Sequence, residues 1–273
     1  MRLPMEKATQ VLQHLLEGCS VRSTERITGV HRDTILRLLV IAGEKCERLM
    51  AERIKGVPVS DVQCDEIWGY VAKKEAHKWL DEVDNTEIGD AWCFVAIERH
   101  SKVILSWHLG KRTTQHTQAF IKKLAKATAP KPYQLSSDGF AGYVPAVDQH
   151  LTERGVDFGQ LIKVYGASRE GEQRYSPAEV VSAYPHPVWG LPDIKRICTS
   201  HVERQNLSIR MGMRRMTRLT NAFSKKWDNL KAAFALWFAF YNFCRMHGTI
   251  RMTPAMEAGI TDHQWEIVDL LGI

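Results

Sequence analysis

The chain carries no C-x-x-C pair, and none of its six cysteines (Cys19, Cys46, Cys64, Cys93, Cys198, Cys244) joins a histidine at zinc-ligand spacing. That pattern excludes a disulfide framework or a zinc site made from these residues alone, and it suits free thiols in a reducing compartment. The stretch Met1 to Leu12 lacks the apolar run of a signal peptide. No segment reaches the roughly 18 apolar residues of a membrane span. The richest candidate, Phe223 to Cys244, is interrupted by Lys225, Lys226, Asp228, Asn229 and Lys231. Internal repeats and low-complexity tracts are missing as well, which sets aside solenoids and disordered tails. A cytoplasmic protein without a membrane partner is expected.

What is present is an ordinary core and an uneven charge. The 273 residues are 44% hydrophobic, enough for one catalytic domain and a small accessory one. The 37 basic and 31 acidic residues leave a net charge of +6, modest in total but concentrated. From Lys195 to Lys226 nine basic residues accompany a single acid, Glu203. A local basic surface is what a polyanion senses, so nucleic acid is the leading partner.

Periodicity divides the chain. Residues 1–56 read as an all-α domain: Ala8, Val11, Leu12, Leu15 and Leu16 form a helical stripe that Gly18 ends. Ser20–Ile27, the turn Thr28–Gly29–Val30 and His31–Leu39 then make a helix-turn-helix, with His31, Arg32, Thr34 and Arg37 placed to meet a major groove. A plain three-helix bundle reads equally from the same pattern. Residues 57–222 change period, with strands at Val62–Val71, Ala91–Ile97 and Val103–Trp107, a helix over Thr113–Thr128, and a short strand Tyr133–Ser137 leading into Asp138. A helix over Phe140–Glu153 and a strand at Leu161–Tyr165 follow. The Gly-, Pro- and charge-rich tract of about 166–198 reads as an insertion loop, and Lys195–Lys226 as one basic helix with Glu203, Arg210 and Arg214 in a row. Residues 223–273 read as a helical tail whose aromatic stripe (Phe223, Trp227, Phe234, Trp237, Tyr241) is a packing face.

Three strands, helix, strand, helix, strand, helix is the order of a ribonuclease H-like α/β domain, a mixed sheet with flanking helices. In that layout Asp65 lies on the central strand, Asp138 at the carboxyl end of the fourth, and Glu203 on a late helix crossing the same strand ends, where open α/β sheets place ligands. Two carboxylates about 4 Å apart repel by about 4 kcal/mol at an effective dielectric of about 20. Three together would protonate, splay apart or recruit cations; hard oxygen ligands suit Mg²⁺ or Mn²⁺, and two such ions suit an in-line phosphoryl transfer. Duller readings stand beside each residue. Glu203 is an intrahelical salt-bridge partner, Asp138 in Ser136–Ser137–Asp138–Gly139 is turn chemistry, and Asp65–Glu66 is a structural pair.

The segments Gln63–Cys64–Asp65–Glu66–Ile67–Trp68, Ser137–Asp138–Gly139 and Thr199–Ser200–His201–Val202–Glu203–Arg204–Gln205–Asn206 resemble the insertion sequence 1 family of bacterial DDE transposases. So do Arg214 to Lys226 and Thr253 to Gly259. The resemblance implies Asp65, Asp138 and Glu203 as a metal-binding catalytic triad, with Mg²⁺-dependent strand cleavage at element ends and transfer of the freed 3′-hydroxyl to target DNA. It further implies Arg210 as a DNA contact, with Arg214, Arg215 and Arg218 beside it. The partners would be double-stranded DNA (terminal repeats and target) and further copies of the chain, in the bacterial nucleoid, with no small-molecule substrate. Some members carry a zinc-binding segment ahead of the helix-turn-helix, which this sequence does not show. The tract between Asp138 and Glu203 is also long for DDE enzymes. A nuclease that cuts without joining, or a catalytically inactive DNA-binding regulator, would share most of these features.

Overall fold

The computed structural model describes residues 3–166 and 179–272. Three helices lead: α1 (Met5–Leu16), α2 (Val21–Thr28) and α3 (Arg32–Arg53). Ser20 caps α2 by accepting from the Ser23 amide at 3.0 Å, and Gly29 ends it in the left-handed region at φ 69°. The second helix of this turn does not stop near Leu39. It runs for 22 residues, and Ile35, Leu39, Ala42, Cys46 and Leu49 make one continuous buried seam. That length carries α3 out of the head and along α7 (Trp227–Ala239), where a Cβ on Gly43 would lie 2.5 Å from Ala232. A glycine is needed for this approach of two backbones.

The sheet has six strands: β1 (Asp61–Val71), β2 (Gly89–Glu98), β3 (Ile104–Gly110), β4 (Gln134–Asp138), β5 (Asp157–Tyr165) and β6 (Val180–Trp189), in the order β3-β2-β1-β4-β5-β6. β1 to β3 form an antiparallel meander, β4 runs parallel to both β1 and β5, and β6 returns antiparallel. A meander followed by parallel strands inserted beside the first strand is the ribonuclease H-like arrangement. Between β3 and β5 lie α4 (Thr114–Ala127) and α5 (Tyr143–Leu151), whose Phe120 and Tyr143 are fully buried with Phe94. The opposite face takes α6 (Ser200–Gly212) through Val202 and Ile209. Asn242, fully buried, donates to and accepts from the backbone of Ile104 and so ties the end of the α7 segment to β3. Among the described residues no helix is long and apolar enough to cross a membrane.

Three sequence expectations need correction. The tract 166–198 is not all loop, since Val180–Trp189 pairs with β5; the part of it spanning 167–178 lies outside the described residues. Pro185 and Pro187, tolerated because this is an edge strand, and near-continuous exposure hid it from pattern reading. Lys195–Lys226 is not one helix either: α6 ends at Gly212, where Trp237 packs so closely that a Cβ would sit 2.2 Å from its ring, and a short 3₁₀ turn, Arg214–Met216, follows. The row Glu203, Arg210, Arg214 is therefore broken. Finally, α7 begins at Trp227, leaving Phe223 off the helix, where it packs instead against Tyr70 with ring centroids 4.7 Å apart.

Candidate functional site

The sheet brings two of the distant acids together by register. β1 and β4 pair as Asp61↔Gln134, Val62↔Leu135 and Gln63↔Ser136. The same offset two residues on aligns Asp65 with Asp138, the last residue of β4, just where the ladder stops. Paired residues of parallel strands share a face, so the two carboxylates converge at the carboxyl edge of the sheet. Oxygens of Asp65, Glu66 and Asp138 lie within 4.8 Å of one another. Glu66 follows Asp65 on β1 and so leaves the strand on the opposite face, yet its carboxylate joins the other two, with Arg112 reaching both it and Asp138.

The energetics of this cluster are those of crowded, desolvated anions. Burial first, then the charges of Asp138 and Glu66, push Asp65 up to about 7. Burial and Asp138 push Glu66 up to about 7 as well, against the opposing pull of Tyr143 and Arg112. Arg112 bridges the acids, donating from Nε to Glu66 at 2.9 Å and from Nη2 to Asp138 at 3.4 Å. Its guanidinium lies 4.2 Å from the Phe140 ring centroid and 5.0 Å from that of Trp92. One arginine does not neutralise three carboxylates. Glu66 Oε1 is buried with no hydrogen-bond partner of acceptable geometry. An all-oxygen donor set, an orphaned buried oxygen and two carboxyls that ionise only near neutrality fit a hard divalent cation.

Glu203 stands outside that trio. It sits in the first turn of α6, exposed, where it forms an ion pair with Lys163 and accepts from Thr199 Oγ1 at 2.6 Å. Lys163 lies on β5 two residues past Leu161, the register partner of Asp138. Burial alone would lower the pKa of its ammonium, and the Glu203 carboxylate more than reverses this. The helix face that carries Glu203 nevertheless addresses the acids. Asn206, three residues on, donates to Asp65 Oδ2 at 2.8 Å, and the Glu203 charge itself contributes to raising Asp65.

The proposed DNA-contacting residues separate into two groups. Arg214 and Arg218 are exposed, as are His31, Arg32 and Arg37 around the start of α3, while Thr34 is half-buried. Arg210 and Arg215 are occupied inside the protein. Arg210 donates to the Met216 and Trp68 carbonyls at 3.0 and 3.1 Å, and Arg215 to Ser224 Oγ and the Asn229 carbonyl, both at 3.0 Å. Burial lowers both guanidinium pKa values to about 10. Sequence reading passed over Arg112, Lys163 and Asn206. Only Asn206 carried a signal, its position one turn after Glu203.

No protein-family model matches the sequence, and no curated protein matches it. Solved structures similar to it include Argonaute from Aquifex aeolicus, at TM-score 0.31 and 9% identity over 62% of this chain and 31% of that one. The chain thus spans less than a third of that protein's length. Another is the Mos1 strand transfer complex, at TM-score 0.26 and 10% identity over 86% of this chain and 76% of that one.

Proposed function

We propose that the protein is a DDE-type transposase that cuts DNA at the ends of a mobile element and transfers the 3′-hydroxyl to target DNA. The observation that carries the reading is the oxygen cluster of Asp65, Glu66 and Asp138 at the carboxyl edge of the sheet, with Glu203 on the helix that touches Asp65. The family resemblance supplies the choice of strand transfer over simple hydrolysis. Divalent cations, Mg²⁺ or Mn²⁺, when held by Asp65, Asp138 and Glu203, would activate the attacking oxygen and stabilise the leaving one. The chain's own residues do the rest. Asn206 fixes the Asp65 carboxylate, Arg112 offsets part of the negative charge while leaving oxygen lone pairs free, and Lys163 holds Glu203 beside the site. Arg214 and Arg218 offer phosphate contacts, and His31, Arg32, Thr34 and Arg37 at the start of α3 are placed to read a terminal repeat. A multimer on DNA in the cytoplasm follows from the need to hold two ends.

The deciding experiment incubates purified protein and Mg²⁺ with a duplex carrying the inverted repeat that flanks the reading frame, plus a supercoiled target plasmid. Strand-transfer product is expected from the wild type. Asp65→Asn and Asp138→Asn should abolish it with DNA binding retained. Cleavage without joining would replace the transposase by a nuclease, and full activity in either variant would remove that residue from the site.

A further inference from the structure

Beyond the acids, the same edge of the sheet carries a groove of about 690 Å³ lined by aromatic and basic side chains. Glu66, Trp68 and Tyr70 alternate along β1 and therefore share one face, each step advancing about 7 Å. The row leads directly from the carboxylate cluster into the groove. Trp68 and Tyr70 have ring centroids 5.8 Å apart, and Tyr70 and Phe223 4.7 Å apart. All three are half-buried rather than core residues. Exposed cations surround them: Lys74 lies 5.7 Å from the Trp68 centroid, Lys225 3.6 Å from that of Phe223, and Arg218 lines the groove wall.

This ladder is braced from behind. Arg210 holds the Trp68 carbonyl, the Ala72 amide donates to the Ser224 carbonyl at 2.8 Å, and Arg215 holds the Ser224 hydroxyl. The buried arginines thus fix the strand end and the segment bearing Phe223 in one arrangement. A row of half-exposed aromatic rings with exposed ammonium groups set against Trp68 and Phe223 matches a strand of unpaired nucleotides. Phosphates would draw the cations off the rings, and bases would take their place. A duplex, with its bases already stacked, has nothing to offer such a row.

We infer that the Trp68–Tyr70–Phe223 groove binds unpaired DNA nucleotides next to the phosphate presented to the acids, so that the substrate is a DNA end with a melted or single-stranded flank. The inference deepens the transposase reading and rests on it for the nature of the substrate. Its test does not require catalysis.

The full chain is titrated in EDTA with a fluorescent 20-base-pair duplex, blunt or bearing a six-thymidine overhang. The wild type should favour the overhang. Trp68→Ala and Phe223→Ala should each reduce that preference by about five- to hundredfold, the range that loss of one base–aromatic stack implies, while Trp68→Phe retains most of it. Blunt-duplex affinity should change little. As a check that needs no variant, 5-iodouracil placed in the overhang should photocrosslink to Trp68, Tyr70 or Phe223 in the wild-type protein. No overhang preference in the wild type, or crosslinks confined to other residues, would overturn the inference. A retained preference in a protein that neither cuts nor joins would instead leave the groove standing and remove the transposase.

Discussion

Replacing Glu66 with glutamine should make the metal-free protein more stable at pH 8, and the size of the effect follows from the cluster. Burial and the Asp138 charge raise Glu66 from 4.5 to about 7. Between those two values the folded protein holds a proton that the unfolded chain has released, so stability falls as pH rises through this window and levels off above it. A displacement of about 2.5 pH units, at about 1.4 kcal/mol each, amounts to about 3.5 kcal/mol. That figure is an upper limit for Glu66 alone, because Asp65 titrates in the same range and the two share the loss. Glutamine mimics the protonated form and leaves Arg112 to Asp138. Chemical denaturation in EDTA at pH 5 and pH 8 measures the effect. Wild type and E66Q should differ by less than about 1 kcal/mol at pH 5, where the unfolded chain has begun to release the proton, and E66Q should gain about 1–3 kcal/mol at pH 8. Millimolar Mg²⁺ should stabilise the wild type at pH 8 and raise E66Q much less, since binding to the folded state alone adds stability by mass action. Identical wild-type and E66Q stabilities at both pH values would refute the claim that these carboxylates repel one another in the folded protein.

On the proposed role of Glu203 as a metal ligand, Lys163 would compete with the cation for it, so Lys163→Ala should lower the Mg²⁺ concentration giving half-maximal DNA cleavage by about three- to tenfold, and an unchanged midpoint would dissociate Lys163 from the site. Arg218→Ala should reduce the slope of log K against log salt for duplex binding by about 0.9, one phosphate contact. Arg210→Ala should leave that slope unchanged but cost about 1–3 kcal/mol of stability through the orphaned Trp68 and Met216 carbonyls; the reverse result would mean that Arg210 faces DNA. Gly43→Ala should destabilise by about 1–3 kcal/mol through its collision with Ala232, and an unaltered denaturation midpoint would show that α3 and α7 are not in close contact.

What pattern reading captured was whatever burial makes periodic. α4 repeats cleanly because one face of it is core, β1 and β2 stand out as strand-like runs buried on both faces, and Asp65 and Asp138 were visible as acids, one within a strand and one at a strand's end. β6 escaped because an exposed edge strand has no buried face to reveal it. The end of α6 escaped because Gly212 is dictated by the Trp237 ring, 25 residues ahead in sequence and adjacent only in space. The internal acceptors of Arg210 and Arg215 could not be read beforehand, because charge in a sequence carries no sign of where a guanidinium finds its partners. Glu66 is the sharpest case. Strand alternation places it on the opposite face from Asp65, so no one-strand pattern could have put the two carboxylates in one cluster.

The position of Glu203 also follows from charge. A carboxylate entering the trio without a cation would face three acids already raised or bridged, at about 4 kcal/mol for each neighbour at about 4 Å. Lys163 offers it a partner at the cluster's border, and Thr199 fixes its other contact. Asn206 meanwhile keeps α6 docked on Asp65, three residues from Glu203 on the same helix. A divalent cation held by Asp65 and Asp138 would offset their charge and so weaken the repulsion that keeps a further carboxylate out. The Lys163–Glu203 ion pair is thus the arrangement that charge favours while the three acids carry no added positive charge.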